Sequence, residues 1–167
     1  MDGVELLEEI AVLLESKRLK YWVFGGYALD LAVGRVTRPH ANIDLLIRLN
    51  DSAKVRDLLE VNGFITELFF DKVIARRDGE FVNLIMLDEF KGKYVISTVN
   101  VEVSVPKVLF DKPVKGELKG GSYPRIPNEL VYLLNRYSVN PSDTLIANNL
   151  SVDSKVLKRI KVNVKRR

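Results

Sequence analysis

Residues 24–44 read FGGYALDLAVGRVTRPHANID, and this stretch decides the fold. The apolar residues before Gly25-Gly26 predict a short buried strand, which the two glycines end. Residues 27–33 suit a helix that Gly34 closes at its C-terminal cap. Backbone N–H groups at the start of a helix can cradle a phosphate, whereas a glycine pair by itself is more often only a tight turn.

Polar side chains follow in the next loop and strand. Arg38 and His40 lie in a loop with no hydrophobic periodicity, and residues 42–49 alternate with period two, which predicts a strand. Asn42 and Asp44 lie two apart on that strand, so both point to one face, roughly 6 to 7 Å apart along the chain. Two polar groups aimed the same way near a phosphate cradle suggest metal-assisted phosphoryl chemistry.

The rest of the chain predicts a sheet-rich middle and helices at both ends. A capping pair, Asp2 and Glu5, begins a predicted helix over 2–18, and a second helix is predicted over 51–61. Three more helices should start near Pro127, Pro141 and Ser151. The predicted strands are 64–70, 72–77, 81–87 and 99–105. We expect an α/β or α+β fold with one mixed sheet flanked by helices. Residues 1–126 should form the core, and 127–167 a C-terminal helical segment packed on it.

Composition excludes several classes of site and location. The chain has 167 residues, 47% of them hydrophobic and 29% charged, which fits one globular domain. There is no cysteine and one histidine, so cysteine-type zinc sites and Ser-His nucleophiles lack their parts, and a metal would need oxygen ligands. The first residues do not resemble a signal peptide and no apolar run could span a membrane, so we expect a cytoplasmic location without membrane contact.

The basic residues concentrate in a C-terminal tail, 155–167. Seven of the 26 basic residues follow Asp153, the last acidic residue, which leaves 19 against 22 acidic residues in the body of the chain. Such a tail can attract nucleic acid or an acidic partner. The plainer interpretation, a solvated helix end and frayed terminus, is the favoured one.

The motif residues also carry a family resemblance. They are Gly25-Gly26-Tyr27-Ala28-Leu29-Asp30-Leu31, Gly34-Arg35, Thr37-Arg38, His40 and Ile43-Asp44. This pattern resembles the signature of the aminoglycoside and lincosamide nucleotidyltransferase branch of the polymerase-beta superfamily, which usually reads Gly-Gly-Trp-Ala-x-Asp and then Gly-x-x-Thr-Arg-x-His-x-Asp-Ile-Asp. The Pro-led helix at Pro127 and the Pro141 to Asp143 segment resemble later family features more weakly. The resemblance implies the nucleotidyltransferase fold.

The resemblance further implies transfer of a nucleoside monophosphate from a nucleoside triphosphate, most simply ATP, to a hydroxyl acceptor. In the family, Mg²⁺ ions are held by an Asp-x-Asp pair and by a third carboxylate on a later strand. The corresponding catalytic positions are Asn42, Asp44 and Asn83, with Asn42 and Asp44 as the metal positions, so only Asp44 keeps its acid. An asparagine is uncharged and cannot act as a base near neutral pH, so metal binding and transfer should be severely weakened. Glu102 is the one plausible substitute.

The remaining candidates are binding residues. Gly25 and Gly26 would cradle the nucleotide, Arg38 would contact the triphosphate, and His40 would line the site. Asp30 could orient either Arg38 or His40 by an ion pair, or face solvent. Trp22 and Tyr27 are better explained by core packing than by base stacking.

Three functions stay open on the sequence. The favoured one is a nucleotidyltransferase-fold protein that is inactive or weakened. The alternatives are an active Mg²⁺-dependent nucleotidyltransferase on a small molecule or macromolecule, and a non-catalytic module that binds a nucleotide, a protein or, through the tail, nucleic acid.

Overall fold

In the computed structural model, residues 3–165 are described and form one mixed sheet of ten strands with helices packed on it. The elements in chain order are α1 Gly3–Ser16, β1 Tyr21–Phe24, α2 Gly25–Val33, β2 Ile43–Arg48, α3 Ser52–Val61, β3 Ile65–Leu68, β4 Lys72–Arg77, β5 Glu80–Phe90, β6 Lys93–Ser97, β7 Val101–Pro106, β8 Val114–Leu118, β9 Gly121–Arg125, α4 Asn128–Asn135, α5 Pro141–Ala147, α6 Ser154–Leu157 and β10 Lys161–Val164. Two 3-10 turns, Leu49–Asp51 and Lys107–Phe110, follow β2 and β7.

The strand order places β1, β2 and β5 side by side. The sheet runs β10-β7-β6-β5-β2-β1-β9-β8, and β4 and β3 extend from the other edge of β5. β2 is antiparallel to β1 and parallel to β5, and the register aligns Phe24 with Asp44 and Asp44 with Asn83. The end of β1, where the glycine pair begins, therefore lies beside the polar positions of β2 and β5.

The core explains why the central strands are so apolar. Leu45, Leu46 and Ile47 of β2 are fully buried, as expected of a strand covered on both faces. On α1, Leu7, Ile10 and Leu14 recur at helical spacing and none is exposed to solvent. Burial of this apolar surface is the main force that holds the glycine turn against the sheet.

Much of the predicted architecture is confirmed. The fold class is α/β with a mixed sheet flanked by helices, and α2 ends at Gly34 in the left-handed conformation, φ 80°. The helix at Asn140-Pro141 begins as expected, because the Asn140 side chain accepts a hydrogen bond from the Ser142 N–H. Trp22 and Tyr27 are each 5% exposed, which confirms their place in the core.

Other expectations are wrong. α2 begins at Gly25 rather than after the glycines, and Asp153 rather than Ser151 caps α6 through a bond from Lys155 N. The sequence interpretation missed β6, β8, β9 and β10. Residues 161–164, expected within a helical segment, form a strand because Lys161–Val164 alternates polar and apolar and pairs with β7. Asp2 of the predicted capping pair lies outside the described residues, and the division at residue 126 stays a prediction.

No helix among residues 3–165 is both long enough and apolar enough to cross a membrane. The cytoplasmic location expected from the sequence stays a prediction.

Candidate functional site

The glycine pair allows two polar side chains to approach the backbone closely. A Cβ added to Gly25 would overlap Oδ2 of Asp44, and one added to Gly26 would overlap Nδ1 of His40. Gly25 also has φ 65°, a backbone conformation that is strained for residues with a Cβ atom. The sequence motif thus brings the start of α2, His40 and Asp44 into contact.

Asp44 receives hydrogen bonds from both neighbouring amides. Asn42 Nδ2 donates to Asp44 Oδ1 at 3.2 Å, and Asn83 Nδ2 donates to the same oxygen at 2.9 Å. The structure therefore brings together all three positions that the sequence analysis named as catalytic. The oxygen of the second amide, Asn83 Oδ1, is buried and has no hydrogen-bond partner among the described residues.

The protonation of Asp44 is set mainly by burial. Loss of solvent raises the pKa of the Asp44 carboxyl above its usual range, since a charged carboxylate is costly away from water. The Asn83 hydrogen bond and the electrostatic attraction of His40 and Lys72 act in the opposite direction. The charged groups that influence Asp44 do not include Glu102.

Asp30 holds the loop after α2. Its carboxylate has no exposed surface; Oδ1 accepts bonds from Thr37 N at 3.1 Å and Thr37 Oγ1 at 2.6 Å, and Oδ2 lies 2.6 Å from His40 Nε2. Asp30 therefore contacts His40, and not Arg38 or solvent. The Tyr27 ring packs against the His40 imidazole, with ring centroids 4.5 Å apart.

Arg38 is held by a residue far along the chain. Its Nε and Nη2 donate to Asp143 Oδ1 and Oδ2 at 2.9 and 2.8 Å, a bidentate pair, and Nη1 donates to Pro39 O at 3.1 Å. The Arg38 side chain is 33% exposed and that of Asp143 only 4%. Hydrogen bonding to Asp143 raises the pKa of the Arg38 guanidinium.

Asp143 was missed as a site residue, although the sequence contained a signal. The Pro141 to Asp143 segment had been linked to the family as a helix motif, not as a partner for Arg38. Because the two residues are 105 positions apart, no local pattern indicates their contact. The sequence analysis likewise gave no role to Thr37, whose hydroxyl binds Asp30.

The named residues border two separate hollows. Gly25, Gly26 and Arg38 line a cleft of about 210 Å³, whose opposite walls come from α4, α5 and residues 98–101; we call it the α4–α5 cleft. His40 and Asn42 line a smaller hollow of about 160 Å³. The glycine pair borders the α4–α5 cleft, whereas the imidazole behind it opens into the second hollow.

The oxygen donors near the glycine pair are few. Asp44 supplies the carboxylate that approaches Gly25, and Asn42 and Asn83 could offer only neutral amide oxygens. Within residues 3–165, no group of three His, Cys, Asp or Glu side chains is arranged to hold a metal ion. Glu102, considered as a substitute, is exposed on β7, where Ser97 and Asn163 are its strand neighbours.

Most of the sequence matches a known family. The sequence model of the family described as aminoglycoside-2''-adenylyltransferase matches residues 6–126, most of the chain. The chain belongs to this family. Two curated relatives, 2''-aminoglycoside nucleotidyltransferases of Klebsiella pneumoniae and Escherichia coli, are 34% and 33% identical over 65 and 60 residues, or 38% and 36% of this chain. The matched segments span only about 37% and 34% of those relatives.

Solved structures of nucleotidyltransferases share the fold of this family member. ANT(2'')-Ia in complex with adenylyl-2''-tobramycin superposes with a TM-score of 0.69 and 21% identity, over 86% of each chain. The lincosamide antibiotic adenylyltransferase LnuA, bound to lincomycin, gives a TM-score of 0.67 and 19% identity over 87% of this chain and 96% of that one. At these identities the likeness shows the nucleotidyltransferase fold alone.

Proposed function

We propose that this member of the aminoglycoside-2''-adenylyltransferase family binds a nucleotide at the Gly25-Gly26 turn and has lost most or all of its nucleotidyl transfer. The observation that carries the proposal is the pair of amide donors on Asp44 Oδ1, at 2.9 and 3.2 Å. Amide N–H groups thus face the carboxylate where family members would hold a cation between acids.

The donor set does not fit the Mg²⁺ ions that the family resemblance implies. Mg²⁺ sheds its water reluctantly and is normally held by carboxylates and substrate phosphates. One carboxylate whose pKa is raised by burial, with two neutral amides, is a poor replacement for three acids. The unpartnered Asn83 Oδ1 adds a single uncharged oxygen, which does not replace the missing acids.

The remaining groups support binding rather than transfer. Backbone N–H groups at the start of α2 and the outward edge of Arg38 are suited to an anionic phosphate chain. We propose ATP as the nucleotide, since the family is described by adenylyl transfer. Neither Asn42 nor Asn83 can accept the proton of an attacking hydroxyl near neutral pH. His40 would support the glycine turn from the second hollow, where the Asp30 carboxylate fixes its ring.

Calorimetry with ATP tests the proposal. We expect the dissociation constant of the unaltered chain to be the same within about threefold in Mg²⁺ and in EDTA. A double variant, Asn42→Asp with Asn83→Asp, should bind ATP at least about tenfold more tightly in Mg²⁺ than in EDTA, because each restored acid favours the cation. Asn50→Asp with Asn148→Asp is the matched control, since both positions are exposed. Strong metal dependence in the unaltered chain would instead support an active Mg²⁺-dependent transferase.

A second candidate function is nucleic-acid or acidic-partner binding by the basic tail. The side chains of Lys155, Lys158, Arg159, Lys161 and Lys165 are all exposed. Truncation is a poor test because β10 belongs to the sheet. If the tail contacts three phosphates, raising the salt concentration from 50 to 200 mM should weaken oligonucleotide binding about forty-fold.

The test of this candidate is charge removal without truncation. Glutamine in place of Lys158, Arg159 and Lys161 should abolish oligonucleotide binding in a filter-binding or fluorescence assay. Glutamine in place of Lys17, Lys20 and Lys54, also exposed, is the control and should leave binding unchanged. Equal loss in both triple variants would indicate only general charge attraction.

A further inference from the structure

Within residues 3–165 the sheet has three open edges, and β3 is the least protected of them against further pairing. β8, β10 and β3 each pair with one other strand only among these residues. Native edge strands are usually blunted by lysine or proline. β8 follows Pro113 and contains Lys115, and β10 contains Lys161 and is followed by Lys165. β3 contains one charged residue, Glu67, and neither lysine nor proline.

The surface around β3 is apolar and its one charge is neutralised. Ile65 is 75% exposed and Leu68 55%, and Phe70, in the turn between β3 and β4, is fully exposed. Arg76 Nη1 lies 3.4 Å from Glu67 Oε1 and forms an ion pair with it. Single exposed apolar side chains are ordinary, but a contiguous group of them marks an interaction site.

The backbone of β3 is arranged to accept another strand. Phe69 N–H donates to Lys72 O at 2.8 Å, so these two residues form a hydrogen-bonded pair at the end of the β3–β4 hairpin. Hydrogen-bonded and non-bonded pairs alternate along antiparallel strands. Because Thr66 and Leu68 lie one and three residues before Phe69 and Glu67 in this alternation, their N–H and C=O groups point away from β4.

We propose that β3 pairs with β3 of a second copy of this chain, antiparallel, about a two-fold axis at Thr66. An antiparallel pair of identical strands has this symmetry and is complementary to itself. An axis at Thr66 sets Thr66 opposite its own equivalent and Ile65 opposite Glu67. An axis at Glu67 would set two acids opposite each other, which destabilises a sheet.

The surroundings of Thr66 complement themselves across this axis. Arg56 Nε donates to Thr66 Oγ1 at 3.2 Å, and the Thr66 hydroxyl donates to Glu60. A cation and an acid of α3 therefore flank Thr66, and a two-fold rotation sets each of them opposite the unlike charge of the second copy. The same register places the turn that carries Phe70 beside the end of α3 in the second copy, where Val61 is also exposed. This self-complementarity favours a second copy over a strand of another protein.

Sedimentation velocity of the full chain measures the association. We expect the mass to double from 19.0 kDa as concentration rises, with a dissociation constant below about 100 μM, since the interface is small. Leu68→Lys with Phe70→Lys places lysines on the edge and should weaken association at least about tenfold. Val108→Lys with Val139→Lys is the matched control, because it adds the same charges at exposed apolar positions outside β3, and it should change nothing. Circular dichroism confirms that each variant folds.

Disulfide cross-linking locates the axis. The chain has no cysteine, so Thr66→Cys introduces a single thiol. Opposed Cα atoms of a bonded antiparallel pair lie about 5.5 Å apart, within disulfide range, so oxidation by copper–phenanthroline should give a covalent dimer on a non-reducing gel. Glu117→Cys, at an exposed position of the β8 edge, is the control and should remain monomeric.

Three results would overturn the proposal. The first is a chain that stays monomeric at about 200 μM, which would leave the edge to a strand of another protein. The second is equal association of the Leu68→Lys, Phe70→Lys variant and its control. The third is cross-linking of Thr66→Cys no greater than that of Glu117→Cys. None of these measurements involves a nucleotide, so their outcome is independent of the proposed function.

Discussion

Asp30 and Asp44 are both carboxylates beside the glycine pair, but they are held in opposite ways. Asp30 is fully buried and bonded to Thr37 and His40, residues of the loop that it fixes. Asp44 accepts hydrogen bonds from the side-chain amides of Asn42 and Asn83, and burial raises the pKa of its carboxyl. Asp30 therefore anchors the loop after α2, whereas Asp44 faces two neutral amides.

The largest effect should come from removal of Asp30. Asp30→Ala would leave the Thr37 N–H and hydroxyl and the His40 ring without their buried acceptor, so we expect a loss of about 3 kcal/mol in the free energy of unfolding. Urea denaturation measures it. Asp57→Ala, at an exposed position of α3, should stay within about 0.5 kcal/mol of the unaltered chain. Equal losses in the two variants would mean that Asp30 does not hold the loop.

The glycine pair should show the next effect. Gly25 and Gly34 both have positive φ, but a Cβ meets Asp44 at Gly25 and nothing within 4 Å at Gly34. Alanine at either position costs about 1 kcal/mol of backbone strain. Gly25→Ala should cost about 1 kcal/mol more, because Asp44 has to move. Thermal or urea unfolding measures both variants. Equal losses of unfolding free energy in Gly25→Ala and Gly34→Ala would contradict the close approach of Asp44 to Gly25.

The Arg38–Asp143 pair ties the same loop to α5. A double-mutant cycle of Arg38→Gln and Asp143→Asn should give a coupling free energy of about 1–2 kcal/mol, less than for a fully buried pair because Arg38 is one-third exposed. Unfolding in urea at low salt provides the four free energies. Strict additivity of the two substitutions would show that the pair does not hold α5 on the loop.

The smallest effect should be a pH dependence at Asp44. Because burial raises its pKa in the folded state, the uncharged form favours folding, and this contribution is lost as pH rises through the folded-state pKa. Asp44→Asn stays uncharged, so its midpoint of thermal unfolding should exceed that of the unaltered chain at pH 7 and match it below about pH 3.9. Asp57→Asn, exposed on α3, should show no such trend. An advantage of the unaltered chain that grows with pH would contradict the sign.

The central part of the fold was predictable because it is encoded locally. The run before Gly25-Gly26, the closing Gly34 and the period-two alternation of 42–49 each specify one element within a few residues. β6 was missed although it follows the Lys91-Gly92 turn, whose two residues have positive φ values of 51° and 75°. β10 was missed because a short edge strand within a basic C-terminal segment resembles a solvated tail in composition.

The site was predictable only where its contacts are short in sequence or fixed by strand register. Asn42, Asp44 and the later Asn83 converge because β2 and β5 are parallel neighbours, and the family resemblance had named these three positions. The contact between Arg38 and Asp143 joins a loop to a helix 105 residues later, and packing rather than pattern determines it. The assignment of Asp30 to His40 rather than Arg38 likewise needed coordinates.

Binding of Mn²⁺, a spectroscopic substitute for Mg²⁺, measures whether Asn42, Asp44 and Asn83 can hold a divalent cation. Paramagnetic resonance titrations should show no site tighter than about 1 mM in the unaltered chain, and at least about tenfold tighter binding in the variant that carries both Asn42→Asp and Asn83→Asp. The Asn50→Asp with Asn148→Asp control should behave like the unaltered chain. A micromolar Mn²⁺ site in the unaltered chain that Asp44→Asn abolishes would contradict the account.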